Sequence, residues 1–158
     1  MDSTSWQKEA NLAGPILATA LDIQPAPPPV GRSRHAYGDG PFARLRMPML
    51  PEMPGLYVWS SDGVALYVGQ TGGTLRARLG SNGYATISAY NTLAREVDRT
   101  NGGQQTNCRI NALANQLLRS GATLELWYRS VDRVHALQAE SSFMRAHGLP
   151  PWNRQDRR

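Results

Sequence analysis

The chain has 158 residues, 41% hydrophobic and 18% charged, which is the composition of one globular domain rather than of a disordered segment. Seventeen Lys+Arg against 12 Asp+Glu give a formal charge of +5. Cys108 is the one cysteine, which excludes an internal disulfide framework, and with only His35, His135 and His147 beside it no four-ligand zinc site is expected. Lys8 is the single lysine, so the positive charge is arginine, whose planar fork suits phosphate. No apolar run is long enough to span a membrane, and residues 1–10 lack a signal-peptide hydrophobic region, so a cytoplasmic protein is expected.

Residues 4–23 read as a helix. Trp6, Leu12, Ile16, Leu17, Ala20 and Leu21 recur at mostly helical spacing, with Pro15 as a kink. Pro25-Ala26-Pro27-Pro28-Pro29 is a stiff spacer, and residues 30–54 show no clear period. The expected organisation is therefore a helical arm with a Pro-rich linker over 1–54 and a compact domain over 55–158.

Gly55-Leu56-Tyr57-Val58-Trp59 and Ala65-Leu66-Tyr67-Val68-Gly69 read as two strands of a hairpin around Asp62-Gly63. A two-residue turn would put Tyr57 and Tyr67 on opposite faces. A three-residue loop over 61–63, with glycine at its third position, would set them directly opposite on one face, and this register is favoured. A short helix follows over 75–79, and two further helices are expected over 86–99 and 106–119. Residues 123–128 alternate as a third strand. A last helix over 134–147 would bury Val134, Leu137, Ser141 and Met144 and end at Gly148. The expected fold class is α/β (α+β): a small, mostly antiparallel three-stranded sheet flanked by helices.

Gly55-Leu56-Tyr57, followed by Tyr67-Val68-Gly69, resembles the signature of the GIY-YIG nucleases. Leu75-Arg76-Ala77-Arg78-Leu79 is similar to that family's arginine helix. Glu140, with Pro150-Pro151-Trp152-Asn153 after it, resembles its metal-binding glutamate and closing asparagine. The resemblance covers about 55–153. It implies that Tyr57 is the general base or its relay, that Tyr67 orients Tyr57 and the phosphate, and that Arg78 stabilises charge on the scissile phosphate. Arg78 is preferred to Arg76 because the arginine of the resembled family directly precedes a large apolar residue, here Leu79. Glu140 would hold one Mg²⁺, for which Mn²⁺ can substitute, and Asn153 would brace the site.

The chemistry agrees with this set. Phosphodiester hydrolysis needs a nucleophile, a charge stabiliser and usually a metal. A phenol is a weak acid (pKa ~10), so a base role for Tyr57 requires a nearby cation. One carboxylate cannot build a two-metal site. Taken singly, each residue has a plainer reading: strand tyrosines pack core edges, Arg78 is a surface charge, Glu140 pairs with Arg145, and Asn153 is a loop residue. The coincidence of all five carries the functional reading. Two positions depart from the pattern. Asn82 stands where a Tyr or His is frequent, with Tyr84 two residues later. Gln70 stands where a lysine is frequent.

The stretch 79–122 exceeds what a minimal version of this fold needs. Its Asn101, Gln104, Gln105, Asn107 and Arg109 are side-chain types that read adenine and guanine edges, although a polar loop of turn formers would look the same. Together with Gln70, Arg76 and Tyr84 they are the candidate nucleic-acid contacts. The expectation is a Mg²⁺-dependent endonuclease acting on double-stranded DNA, of restriction type, with homo-oligomerisation left open. The alternatives are a structure-specific repair or mobile-element nuclease, or a non-catalytic nucleic-acid-binding module.

Overall fold

The computed structural model describes residues 6–24, 42–46, 50–79, 84–85 and 105–153. The elements are α1 (Trp6–Glu9), β1 (Ala13–Gln24), β2 (Phe42–Arg46), β3 (Gly55–Ser61), β4 (Val64–Thr71), α2 (Leu75–Leu79), β5 (Tyr84–Ala85), α3 (Gln105–Arg119), β6 (Leu124–Ser130) and α4 (Ala136–His147), the last entered through a 3₁₀ turn at Arg133–His135. Every strand pairing is antiparallel, and the order across the sheet is β4-β3-β6-β1-β2-β5. The chain is thus an α/β protein built on an antiparallel sheet flanked by helices.

The three expected strands lie together as β4-β3-β6, but the sheet does not stop there. β1 and β2, and the two-residue β5, extend it beyond β6. The helix expected over 4–23 is replaced by one short turn of helix and a long strand. Asn11 (φ 56°) and Gly14 (φ 134°) take left-handed backbone that ends helical winding. Beyond them burial alternates: Ala18 is buried, Ile16 packs against the core, and Leu17 between them is 57% exposed. Leu45 and Leu50 are also fully buried, so residues before 55 complete the core rather than form a separate arm. The spacer at 25–29 and the helix expected over 86–99 lie outside the described residues.

β3 is buried along nearly its whole length because helices cover both faces of the sheet. On one face Tyr57, Trp59, Tyr67, Leu124 and Leu126 pack with Leu75 and Leu79 of α2 and Ile110 and Ala114 of α3. On the other face Leu56, Val58, Ala65 and Val68 pack with Trp6 and with Phe143 of α4. The inward face of α4 differs from the one expected. Val134 and Leu137 are 82% and 63% exposed, while Ala136, Glu140 and Phe143 are buried. Gly148, at φ 88°, ends the helix as expected, its N–H donating to the Met144 carbonyl at 2.8 Å. No helix among the described residues is long and apolar enough to cross a membrane.

Candidate active site

The hairpin brings the two tyrosines together by a route other than the expected one. Asp62 (φ 51°) and Gly63 (φ 79°) form a two-residue turn between paired Ser61 and Val64, with the positive φ at both positions that such turns require. That register alone would have separated the tyrosines. A bulge then intervenes: Ser60 pairs with Ala65 but Trp59 with Tyr67, leaving Leu66 as the extra residue. The bulge shifts the register by one, and Tyr57, now opposite Gly69, returns to the face of Tyr67. The two rings lie 6.3 Å apart, tilted by 41°.

The glycines of the two triplets have packing causes. A Cβ on Gly69 would fall 2.5 Å from Cζ and Oη of Tyr57, whose ring lies across that backbone. A Cβ on Gly55 would strike the Arg129 carbonyl oxygen and the Leu75 side chain. Gly69→Ala should therefore displace the Tyr57 ring and cost about 1–3 kcal/mol as an overpacked core substitution. Urea unfolding measures it. An unchanged midpoint would show that Tyr57 does not occupy the space over Gly69.

The start of α2 fixes the arginines. Thr74 Oγ1 accepts the Ala77 N–H at 3.0 Å, and the Leu75 and Arg76 N–H groups donate to the carbonyls of Met53 and Pro51 at 2.8 and 3.1 Å. From this anchored turn the two arginines diverge. Arg76 Nε donates to the Leu50 carbonyl at 2.7 Å, and its Nη1 pairs with Glu52 at 2.9 Å. Arg76 thus holds the 50–52 segment rather than presenting a free guanidinium to a nucleic acid. Arg78 Nε donates to Tyr57 Oη at 3.3 Å. Burial disfavours the Arg78 charge, but the Tyr57 oxygen, by charge and by hydrogen bond, and then Tyr67, outweigh it and raise the guanidinium above its ordinary range. Arg78 is a cation at any working pH.

The C-terminal segment crosses the outer edge of β4. Trp152 N–H donates to the Leu66 carbonyl at 2.8 Å, next to the bulge. Asn153, 7% exposed, makes two 2.9 Å bonds to Val68: its Oδ1 accepts the N–H and its Nδ2 donates to the C=O. A single side chain so satisfies both backbone groups of an edge strand, immediately after Tyr67. Arg109 Nη1 donates to the Trp152 carbonyl. At 5% exposure Arg109 is a buried brace on this segment, not the base-reading group expected of it. Sequence alone gave no signal for that use, since Arg109 stands in a polar stretch. Asn111 and Asn115 of α3 are buried too, another polar burial that hydrophobic periodicity does not reveal.

Glu140 is 3% exposed, on the side of α4 that packs along β4 and β3. The neighbouring Phe143 belongs to the cluster on the face away from the tyrosines. Gln70, paired with Leu56, falls on that same opposite face by strand alternation, so it does not join Tyr67 as a phosphate contact. Among the described residues no group of three or more His, Cys, Asp or Glu could hold a metal ion. Mg²⁺ asks for less: it keeps several waters and takes one or two carboxylates plus phosphate oxygens, so a single carboxylate such as that of Glu140 meets its donor chemistry. Asn101, Gln104 and Asn82 lie outside the described residues, as do the side chains of Tyr84, Gln105 and Asn107.

The geometry therefore unites Tyr57, Tyr67 and Arg78 and docks Asn153, from the C-terminal segment, onto the strand that carries Tyr67. No protein-family model, no curated protein and no solved structure matches the chain.

Proposed function

We propose that the chain is a GIY-YIG-type endonuclease that hydrolyses phosphodiester bonds of double-stranded DNA, in the manner of a restriction enzyme. The contact between Arg78 Nε and Tyr57 Oη, with Tyr67 beside it, carries the reading. The guanidinium fixes the Tyr57 oxygen as a hydrogen-bond acceptor beside a cation, the placement a base or proton relay needs. Water adds to phosphorus as one ester P–O bond breaks, and the departing alkoxide oxygen takes its proton from solvent water. The Tyr57 oxygen, as phenolate or relay, takes the proton that water loses. Arg78, half-buried and the most exposed of the three, meets the phosphate and stabilises charge on its oxygens. Tyr67 orients Tyr57, and Asn153 holds the strand that carries Tyr67. Glu140 would hold Mg²⁺, which when bound neutralises phosphate charge and lowers the pKa of its waters.

The test is plasmid cleavage with Mg²⁺ and with EDTA. Wild-type protein should cut only with the metal. Glu140→Gln, which preserves volume, should reduce cleavage at least ~10²-fold while DNA binding by gel shift and the melting temperature change little. Unchanged cleavage by Glu140→Gln would remove the single-metal mechanism.

A second reading is a nucleic-acid-binding module without catalysis. The burial of Tyr57 and Tyr67, at 2% and 3% exposure, favours it, because a base must reach water. It predicts gel-shift binding with no cleavage by wild-type protein in either Mg²⁺ or Mn²⁺.

A further inference from the structure

On the side of the sheet away from the tyrosines lies a cleft of about 190 Å³ between α1, β3, β6 and α4. Its floor is apolar, made by Leu56 of β3 and by Ala139, Phe143 and Ala146 of α4. Arg129 enters from β6, where it pairs with Leu56. The Arg129 Nε is shielded from solvent and donates to no acceptor among the described residues. A guanidinium in the wall of an otherwise apolar cleft offers N–H donors to an anion bound there, and a buried Nε without an acceptor leaves the group incompletely satisfied. His147 closes one side: its side chain is 8% exposed and its ring lies 4.8 Å from that of Phe143. The one carboxylate on the cleft, Glu9, is 62% exposed at the rim and approaches His147 Nδ1 at 3.6 Å.

We infer that this cleft is a binding site for a small carboxylate with an apolar or aromatic body, its carboxylate on Arg129 and its body against Leu56, Ala139, Phe143 and Ala146. Size supports the class. Cavities of about 150 Å³ hold a benzene ring, so this one accommodates a benzoate-sized anion. Chemistry supports it as well. A guanidinium fork recognises a planar carboxylate, and the paired Phe143 and His147 rings suit a flat body. The site is independent of the nuclease reading, since it uses none of the residues assigned to that chemistry.

The experiment is an NMR titration of the full chain with sodium benzoate, with benzyl alcohol as the neutral counterpart and inorganic phosphate as the anion without a body. Benzoate should give saturable shifts at Leu56, Ala139, Phe143 and Ala146. Benzyl alcohol and phosphate should each bind at least about tenfold more weakly, having lost the charged head or the apolar body. Arg129→Met should weaken benzoate at least about tenfold. Arg129→Lys, which keeps the charge and removes the fork, serves if the methionine variant does not fold, and it should weaken benzoate by a smaller factor. Absence of saturation with benzoate, equal binding of benzyl alcohol, or unchanged affinity in the Arg129 variant that folds would each overturn the site.

Discussion

Trp6→Ala is expected to lower the unfolding free energy by about 3–5 kcal/mol, the range for removing a fully buried aromatic side chain. Trp6 has no exposed surface. Its ring meets Trp127 edge-on at 5.6 Å and Phe143 at 6.1 Å, and its Nε1 donates to the Gly63 carbonyl in the hairpin turn at 3.0 Å. Alanine would remove the aromatic contacts and leave the turn carbonyl without that donor. The residue therefore ties the first turn of chain to β6, α4 and the β3–β4 hairpin at once. Denaturant unfolding followed by tryptophan fluorescence or circular dichroism measures the loss. A change below about 1 kcal/mol would return residues 6–12 to the status of a dispensable arm.

Arg78→Ala is expected to reduce DNA cleavage by about 10²–10³-fold, the usual consequence of removing one preorganised stabiliser of developing charge. Two losses coincide. The Tyr57 oxygen loses its cationic donor, and the phosphate loses the group that neutralises it. Arg78→Lys should recover only part of the rate, because an ammonium cannot reproduce the Nε contact to Tyr57 while also reaching the phosphate. Arg76→Ala provides the contrast. Its guanidinium is committed to Leu50 and Glu52, so the variant should lose stability rather than intrinsic rate. Single-turnover cleavage together with melting temperature separates these outcomes. Equal rate losses in the two arginine variants would show that α2 acts as a scaffold only.

Much of this arrangement was legible from residue type and order, but by uneven routes. The β3–β4 hairpin, α2, α3, β6 and α4 follow from short-range pattern and punctuation at Asp62-Gly63, Gly121 and Gly148. The common face of the tyrosines comes from a loop other than the expected one. A two-residue turn with a bulge at Leu66 has the same effect as the expected three-residue loop, because each shifts the register by one. Bulges leave little local trace in a sequence. β1 looks helical in the sequence because Trp6, Leu12, Ile16 and Leu17 stand at mostly helical spacing. What decides for a strand is pairing with β6, more than a hundred residues later in the chain, a contact no local window contains. Residue type alone does not separate Arg78 from Arg76, since each adjoins a buried leucine, Leu79 and Leu75; the resemblance favours Arg78, and the contact of its Nε with Tyr57 Oη sets it apart in the structure. The roles of Arg109 and Arg129 were not legible, since a buried arginine has the same letter as an exposed one.

The most direct measurement of the central claim, that Tyr57 held by Arg78 performs the chemistry, is the single-turnover cleavage rate of Tyr57→Phe at saturating DNA and Mg²⁺. The substitution removes one oxygen, keeps the ring packed over Gly69, and leaves Arg78 in place. The account predicts a loss of at least about 10²-fold in rate, with DNA affinity little changed, in keeping with removal of a general base. A Tyr57→Phe protein that folds, binds and cleaves at the wild-type rate would contradict it.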